Sequence, residues 1–173
     1  MDKDLYRAMN SQITREYQAF YLYTQMAFWL ESQEYEGMAR WFEKQAAEEM
    51  KHARKIAKHL IDRGEKVTLE AVERPTSSWP TPVELLNDAY NHEVSVTKTI
   101  NGLIKMAQDK SDMAAVGMLF WFIDEQIEEE DQSMRFFELG KRLAQSTLGL
   151  YELDRDMGKR RDEELEGHGE KSN

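Results

Sequence analysis

At 173 residues the chain is sized for one domain with a sizeable core, and its 33 acidic and 23 basic residues leave a formal net charge of -10. That balance excludes general nucleic-acid affinity and suits a protein that gathers cations. Cysteine is absent, which rules out disulfide frameworks, zinc knuckles and thiol chemistry. The start Met1-Asp2-Lys3-Asp4 lacks the basic and apolar regions of a signal peptide, and no apolar run approaches the roughly 18 residues of a membrane span. We therefore expect no membrane partner and a cytoplasmic location.

Residues 3 to about 32 predict one long amphipathic helix, with Leu5, Met9, Ile13, Glu16, Phe20, Tyr23 and Ala27 at helical spacing and neither Pro nor Gly. Glu16 interrupts that stripe. A second helix is expected over 36–63, stopping at Arg63-Gly64, a basic last turn followed by a glycine cap. Its face reads Trp41/Phe42, Gln45, Glu49, His52, Ile56, Leu60, so a carboxylate and an imidazole three residues apart occupy the middle of an otherwise apolar stripe. Ordinary cores do not place a charge there.

Residues 65–80 contain Pro75 and Pro80 with several Ser and Thr, which predicts an extended connection spanning up to about 50 Å. Such a segment can cross a whole bundle, whereas antiparallel neighbours need only a short turn. The third helix opens at Thr81-Pro82-Val83-Glu84, a capping box with proline at the first helical position, and runs to about Lys110 with the stripe Leu86, Tyr90, Glu93, Thr97, Ile100, Ile104. Ser111 and Asp112 cap a fourth helix to about Leu139, whose face reads Leu119, Phe122, Gln126, Glu129, Ser133, Phe136. Gly140 and Gly149 are expected to loosen the chain before a short fifth helix over about 146–158. The polar residues 161–173 are expected to lack fixed structure. The fold class is all-α: a four-helix bundle with a long crossover between its second and third helices and a short fifth helix.

Helix register tests whether the four polar interruptions meet. In a hairpin, two residues are level when they lie equally far from the turn. With the first turn at Gln33, Glu16 lies 17 residues before it and Glu49 16 after; about Ser111, Glu93 and Glu129 each lie 18 away. Packed together, the two hairpins enclose Glu16, Glu49, His52, Glu93, Gln126 and Glu129. Four carboxylates in a low-dielectric interior repel and shift toward protonation unless cations neutralise them. Four carboxylates and one imidazole match two divalent first-row ions with Glu49 bridging, and oxygen-rich ligation favours iron or manganese. The di-iron bundle pattern carries Glu-x-x-His on two helices; here Gln126-x-x-Glu129 stands in place of the second, leaving all-oxygen ligation for the second ion.

Across residues 3–160 the chain resembles the non-haem ferritins of the bacterial and archaeal kind. The matching features are Arg15-Glu16-Tyr17, Glu48-Glu49-Met50-Lys51-His52, Tyr90-Asn91-His92-Glu93, the run from Trp121 to Glu130, and Leu153-Asp154. The resemblance implies a ferritin-like domain over 1–160, assembled as a hollow homo-oligomeric shell of about 24 subunits. It implies a ferroxidase that oxidises Fe2+ with dioxygen or peroxide and stores ferric oxyhydroxide. It also implies a first iron site of Glu16, Glu49 and His52 and a second of Glu49, Glu93 and Glu129, with Gln126 nearby. A third, inner-surface site falls on Glu48, Glu125, Glu128 and Glu129, and Tyr23 matches the tyrosine kept beside the centre.

Other readings are weaker. Met50 stands where bacterioferritins carry a haem-ligating methionine, but those proteins have Glu-x-x-His on the fourth helix, so haem is not expected. A di-iron oxygenase on the same bundle usually has both Glu-x-x-His motifs and a substrate cavity. A non-catalytic assembly protein would use the central acids only to set register. A DNA-protecting mini-ferritin places its metal between subunits and lacks a fifth helix. Glu125, Glu128 and Glu130 also fit a solvated charge run, Tyr23 a core residue, and Tyr17, Trp29, Trp41 and Trp121 packing. His59, His92 and His168 are expected to face solvent without a role. Val116, Gly117 and Leu119 stand where animal ferritins line a pore with acids, which points to a different path for iron.

Overall fold

The first helix begins where Asp2 accepts hydrogen bonds from the backbone amides of Asp4 and Leu5 at 3.0 and 3.2 Å, satisfying donors that no preceding turn can reach. In the computed structural model, which describes residues 1–169 with the side chains of 147 and 160–169 excepted, α1 spans Lys3–Ser32. The turn that follows places Glu34 at φ 64°, and α2 then runs antiparallel over Glu36–Asp62. Gly64, at φ 78°, ends it in the left-handed conformation that glycine adopts without steric cost, and the amide of Glu65 returns to the carbonyl of Leu60 at 3.0 Å.

The crossover lies along α1. Asn10 fixes it with a pair of bonds, donating from Nδ2 to the carbonyl of Thr68 at 2.8 Å and accepting from the Thr68 amide at 2.9 Å, while the Tyr6 hydroxyl donates to the carbonyl of Lys66 at 2.7 Å. At the far end Trp79 is buried edge-on to Trp29 and donates to Asp88 at 2.8 Å. Thr81 then caps α3, Pro82–Asp109, and Asp112 caps α4, Met113–Leu143. Arg63 at the end of α2 binds the same Asp112 at 2.8 Å, tying the two hairpins together at one end of the bundle.

The fourth and fifth helices differ from expectation. Helix α4 continues through Gly140 to Leu143, because Gly140 packs against α3: a Cβ there would stand 3.1 Å from Leu86 Cδ1. Close packing, not a break, accounts for that glycine. Helix α5 spans Thr147–Gly169, so Gly149 lies inside it and the helix passes residue 158. The run Asp162-Glu163-Glu164-Leu165-Glu166 is rich in helix formers. Residues 170–173, to which the expectation of an unstructured tail extends, lie outside the described residues. Asp154 of α5 accepts the backbone amide of Met38 at 2.8 Å, capping the start of α2, and Tyr151 stacks on Tyr35.

The core is split. One apolar block holds Met26, Leu30, Phe42, Leu85, Phe136 and, from α5, Leu153 and Met157. A second holds Leu5, Met9, Ile56, Leu60, Ile100 and Leu119. Between them, at mid-height of all four bundle helices, lies a polar layer.

Candidate metal centre

The polar layer is made of the residues that interrupt the apolar stripes. Glu16 is 2% exposed, Glu49 4%, His52 4%, Glu93 2%, Gln126 4% and Glu129 8%, so none of them is a surface charge. Helical spacing leaves no other direction for these side chains: their stripe neighbours one turn away include the core residues Ile13, Ile56, Ala89 and Phe122, and two turns away Ile100 and Phe136.

Contacts across this layer join every pair of adjacent helices. His52 Nδ1 lies 3.3 Å from Glu49 Oε2 and 3.9 Å from Glu16 Oε2, linking α2 to α1. One ligand atom from each of Glu16, Glu49 and His52 lies within 4.8 Å of the others, a set able to hold a metal ion. Gln126 of α4 donates to Glu93 Oε2 of α3 at 2.9 Å. The Tyr23 hydroxyl of α1 donates to Glu93 Oε1, and Gln45 of α2 donates to Glu129 Oε2 of α4. The residues of the first expected site are thus gathered, while Glu93 and Glu129 of the second are held by the neutral donors Tyr23, Gln126 and Gln45.

Electrostatics follow from this enclosure. Burial, reinforced by the carboxylate of Glu49, holds Glu16 well above the usual carboxylate range. Burial and the nearby Glu93 do the same for Glu49. Glu129 is pushed up to about 9 by burial and then by Glu93, Glu48, Glu128 and Glu125. Burial and the surrounding acids raise the Tyr23 phenol well above its ordinary value. The layer resists holding several negative charges by itself, and a divalent cation between the carboxylates removes that cost.

Gln12 is absent from the stripes, and Gln45 stands on one without its partner being evident. Gln12, 1% exposed, donates from Nε2 to Glu16 Oε1 at 2.8 Å, and Gln45 orients Glu129 as above. Each lies one helical turn before an expected ligand, at i−4 from Glu16 or Glu49, and that spacing is the available sequence signal. Of the expected third set, Glu48 and Glu125 are half-buried and Glu128 is exposed, on the α2/α4 side of the layer; all three add to the repulsion felt by Glu129. Met50 is 39% exposed.

Two histidines depart from the expectation of solvent-facing positions. His92 stands edge-on to Tyr23 with ring centroids 5.5 Å apart, its Nε2 enclosed and without a hydrogen-bond partner, and burial lowers its pKa. It precedes Glu93 on α3, and Arg74, Pro75 and Thr76 of the crossover line a cavity together with it. His59 is half-buried beside Arg63, with its pKa lowered by burial and then by that guanidinium. The side chain of His168 lies outside the described residues. Trp121 packs edge-on to His52 and carries the Lys55 ammonium 3.8 Å above its ring, consistent with a packing role.

A four-helix bundle whose buried middle layer holds four carboxylates, an imidazole and three amides is the architecture of a carboxylate-ligated metal bundle, here with a long crossover and a fifth helix. A ferritin-like domain is matched over residues 6–143, and the chain belongs to the ferritin family. It is 32% identical over 160 residues to a bacterial non-heme ferritin of Staphylococcus aureus, covering 92% of this chain and 96% of that one. Its fold matches an open-pore ferritin of the hyperthermophilic archaeon Archaeoglobus fulgidus with a TM-score of 0.90 and 34% identity, covering 91% of this chain and 98% of that one. An engineered closed form of the Archaeoglobus fulgidus ferritin matches with a TM-score of 0.89 and 34% identity over 91% and 96% of the two chains. Family membership supports iron storage and iron binding. Among the described residues no helix is long and apolar enough to cross a membrane.

Proposed function

We propose that this chain oxidises Fe(II) at a di-iron centre within each subunit and stores the ferric oxyhydroxide product inside a hollow homo-oligomeric shell of about 24 copies in the cytoplasm. The observation that supports this best is the burial of Glu16, Glu49, His52, Glu93, Gln126 and Glu129 in one layer between two apolar blocks. Register alone does not require four carboxylates out of water, and the raised pKa values of Glu16, Glu49 and Glu129 mark a site that is relieved by cations.

In this reading Glu16, Glu49 and the Nδ1 of His52 take one ferrous ion, and Glu49, Glu93 and Glu129 take the other, with Glu49 shared. Loading displaces the protons that burial retains on Glu16, Glu49 and Glu129. Gln12, Tyr23, Gln126 and Gln45 hold Glu16, Glu93 and Glu129 in place through the reaction, as partners beyond the ligands do in other metal sites. Two ferrous ions side by side each give one electron to a shared oxidant, which makes oxidation paired. A ligand set with one imidazole and otherwise oxygen donors suits ferric iron. Glu48, Glu125 and Glu128, on the α2/α4 side of Glu129, offer the product a path away from the centre and a third, weaker site.

Anaerobic Fe(II) titration followed by oxygen, with particle mass measured in parallel, tests this. Two to three ions bound per subunit, rapid oxidation and continued uptake in a particle of about 24 subunits are expected. Saturation at two ions in a dimer, with no further uptake, would point instead to an oxygenase.

A further inference from the structure

The four carboxylates of the polar layer are not restrained alike. Glu93 is held on both oxygens, Oε1 by the Tyr23 hydroxyl of α1 and Oε2 by the Gln126 amide of α4. Glu16 accepts from Gln12 on its own helix at 2.8 Å, and Glu49 meets His52 at 3.3 Å, again within one helix. Glu129 has a single hydrogen-bond donor among the described residues, Gln45 of α2, which meets only Oε2. It is also the least enclosed of the four, 8% exposed against 2% for Glu16 and Glu93 and 4% for Glu49. Of these ligands it is the one with a restraint that a single broken bond removes.

Acids lie on two sides of Glu129. Glu49 and Glu93 share the buried layer with it, while Glu48 and Glu125 are half-buried and Glu128 is exposed on the α2/α4 side. The charges of Glu93 and of Glu48, Glu128 and Glu125 all act on the one carboxylate, so repulsion comes from both directions and does not choose between them. Gln45 supplies the difference. It is 3% exposed and follows the buried Trp41 and Phe42 by one turn, so its amide is committed inside the bundle. A buried donor is costly to leave unmatched, and its bond to Glu129 persists until a stronger attraction displaces it.

We propose that Gln45 is a positioning residue that decides which set of acids Glu129 serves. Bonded to Gln45, Glu129 completes the second ferrous position with Glu49 and Glu93; released, it joins Glu48, Glu125 and Glu128 and draws oxidised iron out of the centre. This rests on the ferroxidase reading and adds to it the step that empties the centre for the next pair of ions. A triply charged ion attracts a carboxylate more strongly than a doubly charged one at the same distance, so oxidation is the event that pulls Glu129 from a neutral amide. Gln45 acts through Glu129 and exchanges neither proton nor electron.

The test uses the assembled protein and Gln45→Met, which keeps the side-chain length and removes the donor. Anaerobic calorimetric titration with Fe(II) reads the binding steps. In Gln45→Met the second step should weaken about tenfold while the first changes by less than about threefold. Mixing protein that holds two Fe(II) per subunit with oxygen, then adding two more at set delays, reads how soon the centre oxidises a fresh pair. That recovery should quicken about tenfold in Gln45→Met, because Glu129 is no longer held back. Gln45→Asn, still an amide but one methylene shorter, should give the same pattern and serves if the methionine variant does not assemble. An unchanged second step, equal weakening of both steps as loosened packing alone would produce, or a recovery that is unchanged or slower would overturn the proposal and leave the ferroxidase reading intact. Failure of the unaltered protein to bind two Fe(II) per subunit would remove that reading as well.

Discussion

The phenol of Tyr23 on α1 donates to Glu93 on α3, with both side chains 2% exposed, so a carboxylate expected to bind metal is oriented by a helix that does not carry it. Tyr23→Phe leaves the packing and removes this donor. A buried carboxylate that loses a partner costs about 1–3 kcal/mol, and loss of a partner to a metal ligand costs about 10–100-fold in affinity or rate. We expect the weaker of two ferrous binding steps to weaken by that factor and the stronger to change by less than about threefold. Anaerobic calorimetric titration reads the two steps separately.

The Glu129 carboxyl gives a dependence on pH whose sign is fixed. Its folded-state pKa of about 9 lies above the ordinary 4.5, so between these values the folded protein holds a proton that the unfolded chain releases. Its contribution to metal-free stability is fully present below pH 4.5, is lost as pH rises toward about 9, and is flat beyond. Glu129→Gln removes this loss. The stability of Glu129→Gln relative to the unaltered metal-free protein should therefore rise with pH across that window, by at most about 1.4 kcal/mol per pH unit. Denaturant titrations at pH 5, 7 and 9 check this, and a difference independent of pH would contradict it.

The same enclosure predicts proton release on loading. Glu16, Glu49 and Glu129 all sit above the usual carboxylate range because of burial and mutual repulsion, and a bound cation requires them ionised. Adding Fe(II) anaerobically at pH 7 in weak buffer should release between one and three protons per subunit, measured with an indicator dye. Loading should also raise the melting temperature.

His52 supplies the only imidazole of the layer. His52→Ala removes a proposed ligand and leaves a void beside Trp121 and Phe122, whose ring centroids lie 5.5 and 5.6 Å away. We expect a stability loss of about 2–4 kcal/mol and binding reduced by one ferrous ion per subunit. His52→Gln restores much of the volume without the imidazole, so stability recovers and the missing ion does not.

At the other end of the molecule, Gly37 tests how α5 is held. A Cβ on Gly37 would stand 2.0 Å from the backbone oxygen of Asp154, so Gly37→Ala must push α5 away from α2. The loss should be about 1–3 kcal/mol, with weakened capping of Met38. Thermal denaturation and amide exchange at Met38 report it.

The stripes of α1 to α4 and the level heights of their acids are legible in the linear chain, because helical period and rise depend on local geometry alone. The six residues Glu16, Glu49, His52, Glu93, Gln126 and Glu129 follow from counting. What counting does not reach is which neutral group faces which carboxylate. Gln12, Gln45 and Tyr23 bond to Glu16, Glu129 and Glu93 through choices of rotamer made in a packed interior, two of them between helices distant in sequence. The burial of His92 depends on Tyr23 of another helix, against which its ring packs edge-on, and the close packing of Gly140 depends on Leu86 across the bundle. The linear chain determined where charge is placed along each helix. Only the packed structure decided what surrounds that charge, since burial and hydrogen-bond partners belong to the space between elements.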